Sequence, residues 1–269
     1  MEINAHIKLQ EHFEKPILRV KKLGDGTHLV TFADDEKSVI KTNESRDIKA
    51  KMLIFLKEYL PCVDIIKQRD EFVALEYVEN NSCLNEIEVA RIIANLHSNS
   101  SDKFGFEYDT EIASLTQKNT QTNSWIEFFK NERIFYMSKK AFDENRIPLE
   151  TLNKIDKFLN KLENFLPEPK PALLHGNIWS GNILSNGNDI KFIDPSIYYG
   201  HNEAELAFIK LFNTFSNKFF DEYSSISKID KEFFEYRANI YNLYPLLVHI
   251  RIFGRSYLKE FEAILNKFI

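Results

Sequence analysis

The residues best suited to chemistry are His175-Gly176-Asn177-Ile178-Trp179-Ser180-Gly181-Asn182 and, twelve positions further on, Asp194. Asn182 and Asp194 offer an amide oxygen and a carboxylate. Both are hard donors that suit Mg²⁺ and, through it, the phosphates of a nucleotide. Taken singly, Asn182 reads as a turn cap and Asp194 as the end of a strand. Taken with the whole stretch, they read as a metal pair. A second signal is Ser38-Val39-Ile40-Lys41, a strand ending in a cation. It follows the turn Gly24-Asp25-Gly26-Thr27, whose backbone N–H groups can lie over phosphates. The plain alternative is a lysine at a solvated strand edge. A third is Phe72 to Glu79, an apolar strand running into a polar connector. There the backbone of Glu76 and Val78 can meet an adenine edge, or the strand simply ends.

The spacing matches a known plan. Kinase catalytic loops read H-R-D-x-x-x-x-N, with an Mg²⁺-holding Asp after the next hairpin. The offset from Asn177 to Asn182 is five, as in that plan. Lys41 stands where the V-A-I-K lysine pairs with α/β-phosphates. The Gly24–Gly26 turn is shorter than the full G-x-G-x-x-G.

These residues need elements to position them. Residues 17–23, 27–33, 38–41, 63–66 and 72–77 read as strands, rich in apolar, β-branched and aromatic residues. Residues 47–60 have helical spacing, with Ala50, Leu53, Ile54 and Lys57 on one face, and Pro61 stops them. A helix is expected over residues 85–98, with Ile87, Ala90 and Ala94 sharing a face. Residues 99–124 read as loop, and residues 125–140 and 149–165 as helices. Short apolar pieces at 172–174 and 182–184 and a strand at 190–193 interrupt them. Phe208, Phe212, Phe215 and Phe219 recur at helical spacing, as do Phe234, Ala238 and Tyr241, and the phenylalanines read as core. The expectation is an α+β, two-lobed protein-kinase-like fold. Residues 1–79 form a small β-rich lobe and 80–269 a larger helical one.

Composition narrows the class. The 269 residues are 43% hydrophobic and 28% charged, which is ordinary globular material. The net charge of -5 argues against a nucleic-acid partner. No apolar run reaches the length of a membrane span, and the N-terminus lacks the apolar core of a secretion signal. Cys62 and Cys83 make no disulfide framework and read as small buried side chains. A cytoplasmic protein is the expectation.

The catalytic stretch, together with Phe192-Ile193-Asp194-Pro195-Ser196-Ile197-Tyr198-Tyr199-Gly200-His201-Asn202-Glu203-Ala204-Glu205-Leu206-Ala207, resembles the fructosamine (ketosamine) kinase family. That family lies within the aminoglycoside phosphotransferase and choline kinase group. Phe104-Gly105-Phe106 with Asp109, Gln117, Asn119 and Trp125, and Leu243 to His249 with Phe253-Gly254 and Tyr257, support the likeness. The resemblance implies ATP between two lobes, Mg²⁺ at Asn182 and Asp194, and phosphoryl transfer to a sugar hydroxyl of a ketosamine, free or protein-bound. Asp109, His201 and His249 are pocket candidates by resemblance alone. Trp179 either stacks on a sugar or anchors the loop in the core. Glu203 and Glu205 open a helix favourably for its dipole, or one of them meets a substrate amine. His175 reads as a support of the loop.

Two positions depart from the family pattern. Asn177 stands where the family has Asp, and an amide accepts a hydrogen bond but takes no proton at neutral pH. Lys49 stands where a helix glutamate normally holds the strand lysine, leaving Glu44 or Asp47 as substitutes for Lys41. A slow kinase, a nucleotide-binding pseudokinase, and a kinase for another aminated alcohol such as an aminoglycoside are the three readings.

Overall fold

The structure is a computed structural model, and residues 9–187 and 189–269 are described. The chain divides into two compact units. The first holds the described residues through Cys83 together with the hairpin Leu184–Ile193. The second holds Leu84–Ile183 and Asp194–Ile269.

The first unit is built on a five-stranded antiparallel sheet. Strands β1 (Ile17–Gly24), β2 (Thr27–Phe32), β3 (Lys37–Lys41), β4 (Ile65–Gln68) and β5 (Val73–Glu76) lie in the order β1-β2-β3-β5-β4. Alternation decides what each strand buries. Val30 and Phe32 of β2 and Ile40 of β3 point to one face with Ile17, Phe72 and Ala74, and Leu9 and Phe13 pack against them. Helix α1 (Arg46–Leu56) buries Lys49, Ala50, Met52, Leu53 and Leu56. The buried stripe is therefore turned from the one expected, and Ile54 is 60% exposed.

The hairpin of β9 (Ile183–Ser185) and β10 (Ile190–Phe192) was expected in the helical lobe. Most of it belongs instead to the first unit, because its backbone bonds run there. Cys62 pairs in parallel with Phe192, and the N–H groups of Asn81 and Ser82 donate to Ser185 O. Burial pushes the Cys62 thiol up to about 12. Cys83, expected inside, is exposed.

The second unit is mainly helical. Its helices are α2 (Glu86–His97), α3 (residues 125–143, wound as a π-helix over Phe129–Phe135), α4 (Leu149–Leu159), α5 (Asn202–Leu211), α6 (Asn217–Ile226), α7 (Ala238–Phe253) and α8 (Leu258–Leu265). Asn85 caps α2, its side chain accepting from Glu88 N–H. The buried side of α2 is Val89, Ala90, Ile93, Ala94, Leu96 and His97, and Ile87 faces outward. Two short strands, β8 (Ala172–Leu174) and β11 (Tyr198–Gly200), pair antiparallel. The expected loop at 99–124 contains a hairpin, β6 (Thr110–Ile112) with β7 (Leu115–Gln117), whose turn places Ala113 at φ 52. The four phenylalanines from 208 to 219 straddle two helices. The helix ends after Leu211, with Asn213 at positive φ, and Phe215 then stacks on Phe219 at 4.7 Å. Phe234 is exposed, not core.

Trp125 centres the core of this unit, with Phe104, Phe128, Phe129 and Tyr241 rings between 5.5 and 6.0 Å away. Such pairs contribute about 0.5–1.5 kcal/mol each beyond area burial. Among the described residues no helix is long and apolar enough to cross a membrane.

Candidate active site

The loop from His175 to Asn182 leaves β8 and enters β9, and its backbone is held from below. Gly176 sits at φ +79, and a Cβ there would run into the carbonyl of Ser196. Only glycine allows that approach. Ser196 N–H donates to His175 O at 2.8 Å, closing the loop onto the segment after Asp194. Glu205, fully buried on α5, accepts from the N–H groups of His175 (3.2 Å) and Gly176 (2.5 Å). Its Oε2 also meets His97 Nε2 at 2.9 Å, and His97 Nδ1 meets the Tyr223 hydroxyl at 2.8 Å. Asn202 Nδ2 donates to the same hydroxyl. Three helices thus converge on the backbone of this loop. Burial pushes the Tyr223 phenol up to about 12, so it stays a neutral hydrogen-bonding group.

A second frame holds the other side. Gln117 Nε2 donates to Ser196 O, Ser196 Oγ donates to Glu111 O, and Tyr244 donates to Gln117 Oε1. Arg133, in the π-helical turn, lies over the rings of Tyr198 and Phe128 at 4.0 and 4.5 Å and donates to Asn119 Oδ1. The β6–β7 hairpin is thereby pinned between α3 and the segment bearing Asp194.

The three residues of the catalytic expectation come together within this unit. Asn182 Nδ2 donates to Asn177 O at 2.9 Å, and Asn177 Nδ2 donates to Asp194 O at 2.9 Å. Asp194 adopts φ 51, a left-handed conformation that Asp tolerates better than most residues and that marks functional turns. With the Asn182 nitrogen tied to Asn177, its oxygen is the end left for a ligand. An amide oxygen and a carboxylate fit Mg²⁺, which keeps waters and phosphate oxygens in its remaining positions. Among the described residues no group of three or more His, Cys, Asp or Glu could hold a metal.

His175 is buried, and its Nδ1 accepts from Asn177 N–H at 3.3 Å. Trp179 is not a core anchor, because 42% of it is exposed. Its six-membered ring lies over Gly181, where any Cβ would strike it. His201 and Glu203 are buried frame residues. Glu203 takes both Nε and Nη2 of Arg237, at 2.6 and 2.5 Å, and these bonds hold the guanidinium charged. His201 Nδ1 meets the Tyr241 hydroxyl at 2.6 Å, and burial, with Arg237 nearby, lowers its pKa to about 3. Neither is presented at the surface. Asp109 accepts from Lys118 Nζ and Asn119 N–H, and so fastens its own hairpin. His249 is half-buried.

In the first unit, Lys41 ends β3 opposite Thr27 and Val73. Thr42 N–H donates to Gly26 O at 2.7 Å and Asn43 Nδ2 to Asp25 O, so the glycine turn is fixed to the residues after Lys41. Gly26 stands at φ +58 with Asn43 against it, which bars a side chain. Gly24 has open space around its Cα. Of the acids offered to Lys41, Asp47 lies 3.4 Å from Arg46 and accepts from Gln68, and Glu44 is exposed. The side chain of Glu76 accepts from Asp64 N–H. The backbone groups of Glu76 to Val78 are the ones expected to meet an adenine edge.

The loop-supporting set of Glu205, His97 and Tyr223 went largely unread in the sequence. Its one local signal is a histidine on the otherwise apolar side of α2.

The comparisons with known proteins bear on this geometry. A family model described as fructosamine kinase matches residues 50–269. The chain belongs to the fructosamine kinase family. It is 33% identical over 202 residues to a probable ketoamine kinase of Enterococcus faecium, covering 73% of this chain and 72% of that one. It is 32% identical over 205 residues to the chloroplastic protein-ribulosamine 3-kinase of Arabidopsis thaliana, covering 74% and 62%. A crystal structure designated fructosamine-3-kinase from Haemophilus somnus superposes with a TM-score of 0.85 at 25% identity, over 99% and 96% of the two chains. An aminoglycoside phosphotransferase in complex with gentamicin shares the fold alone, with a TM-score of 0.65 at 15% identity over 98% and 96%. The protein is a small-molecule kinase with a protein-kinase-like fold.

Proposed function

We propose that this fructosamine kinase family member transfers the γ-phosphoryl group of ATP to a sugar hydroxyl of a ketosamine, in the cytoplasm. The carrying observation is the chain of amides that joins Asn182, Asn177 and Asp194 on a loop whose backbone Glu205 locks. Asn182 and Asp194 would hold Mg²⁺, which would supply neutralisation of phosphate charge. Lys41 pairs with α/β-phosphate oxygens, the Gly24–Gly26 turn covers them, and the backbone of Glu76 and Val78 takes adenine. Asn177 accepts the hydrogen bond of the acceptor hydroxyl and orients it, without taking its proton. Phosphoryl transfer draws chiefly on positioning and electrostatics, so turnover survives the loss of a base at a reduced rate. General-base help is worth about 10²–10⁴ in rate.

One observation favours a second reading, a nucleotide-binding protein without turnover. Asn177 Nδ2 is spent on Asp194 O, a bond that a carboxylate cannot make. One experiment separates the two. The protein is incubated with Mg·ATP and a fructosyl-amine while ADP and phosphosugar are measured, beside Asn177→Asp. Turnover in the native chain, raised by the substitution, is the expected result. No turnover in either, with ATP still raising the melting temperature, establishes the second reading.

A further inference from the structure

The sheet of the first unit is covered on two faces. On one, Ile40 of β3 and Ala74 of β5 join Val30 and Phe72. Alternation sends Val39 and Lys41 of β3, with Val73 and Leu75 of β5, to the other face. Helix α1 covers that second face, because it packs against β5, whose Val73 and Leu75 are buried. Strand register then gives the height of the helix on the sheet. Lys41 pairs with Val73 and Val73 with Gln68, so the three lie on one rung. Gln68 Nε2 donates to Asp47 Oδ1 at 3.2 Å, and Arg46 Nη1 donates to Asn43 O at 3.1 Å. The first turn of α1 therefore stands at the level of Lys41.

Lys49 belongs to that turn and to its inward side, beside Ala50, Met52 and Leu53. It is 6% exposed. Burying an ammonium group is costly, and an anion is what repays the cost. In kinases this helix sends an acid to the strand lysine. Here the same layer holds two lysines. The acids beside them in the chain are directed elsewhere, Asp47 to Arg46 and Gln68, and Glu44 to solvent. Two cations on one layer favour an anion that both can reach.

We infer that Lys49 is a second phosphate-binding residue, and that helix α1 gives the nucleotide site a cation where kinases usually place an acid. The inference rests on the ATP reading and deepens it. Lys49 and Lys41 together take the phosphate chain, so the site ranks nucleotides by their phosphate charge, with ATP ahead of ADP and both well ahead of adenosine.

Calorimetry with Mg·ATP and with adenosine tests this, because adenosine keeps the base and ribose and lacks the phosphates. Lys49→Met keeps the length and removes the charge. It is expected to weaken Mg·ATP at least about tenfold, the scale of one charged hydrogen bond, and to leave adenosine unchanged. Lys49→Arg, which keeps the charge, retains most of the affinity. Lys49→Glu supplies the usual acid, and is expected to weaken Mg·ATP more than Lys49→Met does, because it repels phosphate and engages Lys41. The melting temperature of each variant without nucleotide checks that it folds. The unaltered chain gives a second measurement. An acyl-phosphate derivative of ATP, which acylates lysine amines next to its phosphates and releases ATP, is expected to label Lys49 as well as Lys41, read by mass spectrometry. Equal or tighter binding of Mg·ATP in Lys49→Met or Lys49→Glu, an equal loss of ATP and adenosine, or labelling of Lys41 alone overturns this inference and leaves the ATP reading standing. Failure of the native chain to bind Mg·ATP overturns the two together.

Discussion

The two stretches proposed to carry the chemistry are held by different physics. The His175–Asn182 loop rests on a buried scaffold in which Glu205, His97 and Tyr223 satisfy one another and the loop's backbone N–H groups. The Gly24–Lys41 region is a hairpin at the sheet surface, fixed by backbone turns and flanked by exposed ion pairs such as Lys15 with Asp34 and Glu36. Buried polar groups are costly unless fully paired, so the first arrangement admits one geometry. Exposed pairs are screened by water and cost little to rearrange. Metal donors need fixed angles, whereas a lysine on a flexible stem can follow a phosphate. The difference matches the metal and phosphate roles proposed for the two regions.

Predictions can sharpen or break that contrast. The largest concerns Asn177. If the scaffold already presents the site correctly, Asn177→Asp raises turnover by about 10²–10⁴, the usual worth of a general base. Steady-state ADP release measures this, and an unchanged or lower rate would show that the amide bond to Asp194 O matters more than a base. Next comes the buried pair of Glu203 and Arg237. Arg237→Ala strands a buried carboxylate and is expected to cost about 3–5 kcal/mol in urea unfolding, while the double change Glu203→Leu with Arg237→Met is near neutral.

A smaller effect follows from His201. Its pKa falls to about 3 in the folded chain, so the unfolded chain binds the proton first as pH drops. Stability is full above the unfolded value near 6.5 and declines as pH falls from there toward 3. The slope is about 1.4 kcal/mol per unit. Between pH 6.5 and 5 the native chain should lose about 2 kcal/mol more than His201→Gln, measured by urea titration at each pH. The smallest effect is at the sheet surface. Lys15→Ala should leave the unfolding midpoint unmoved at physiological salt, and a clear shift would erase the distinction between the two regions.

Much of this was legible in the sequence. The spacing of Asn177, Asn182 and Asp194 predicted that they lie together, and hydrogen bonds join them because loop-and-hairpin geometry is local, while the strands of the first unit showed in their β-branched and aromatic runs. The order of elements followed from turn residues and apolar periodicity. Misreadings came where local pattern and three-dimensional neighbours disagree. Ile54 fits a helical stripe, yet the sheet meets the stripe beside it. Phe208 to Phe219 keep a helical period across the break between two helices.

The sequence by itself determined the chemistry on offer: an amide and a carboxylate at a fixed separation, a strand lysine, and an amide where a base is usual. Only the tertiary structure decided which polar groups are spent on the frame and which are presented. Glu203 and Glu205 sit two positions apart on one helix, yet one neutralises Arg237 and the other gathers the N–H groups of the loop. That division depends on partners more than thirty, or nearly thirty, residues away in the chain. Burial, which sets the energy of every such bond, is a property of the packed chain and of no residue alone.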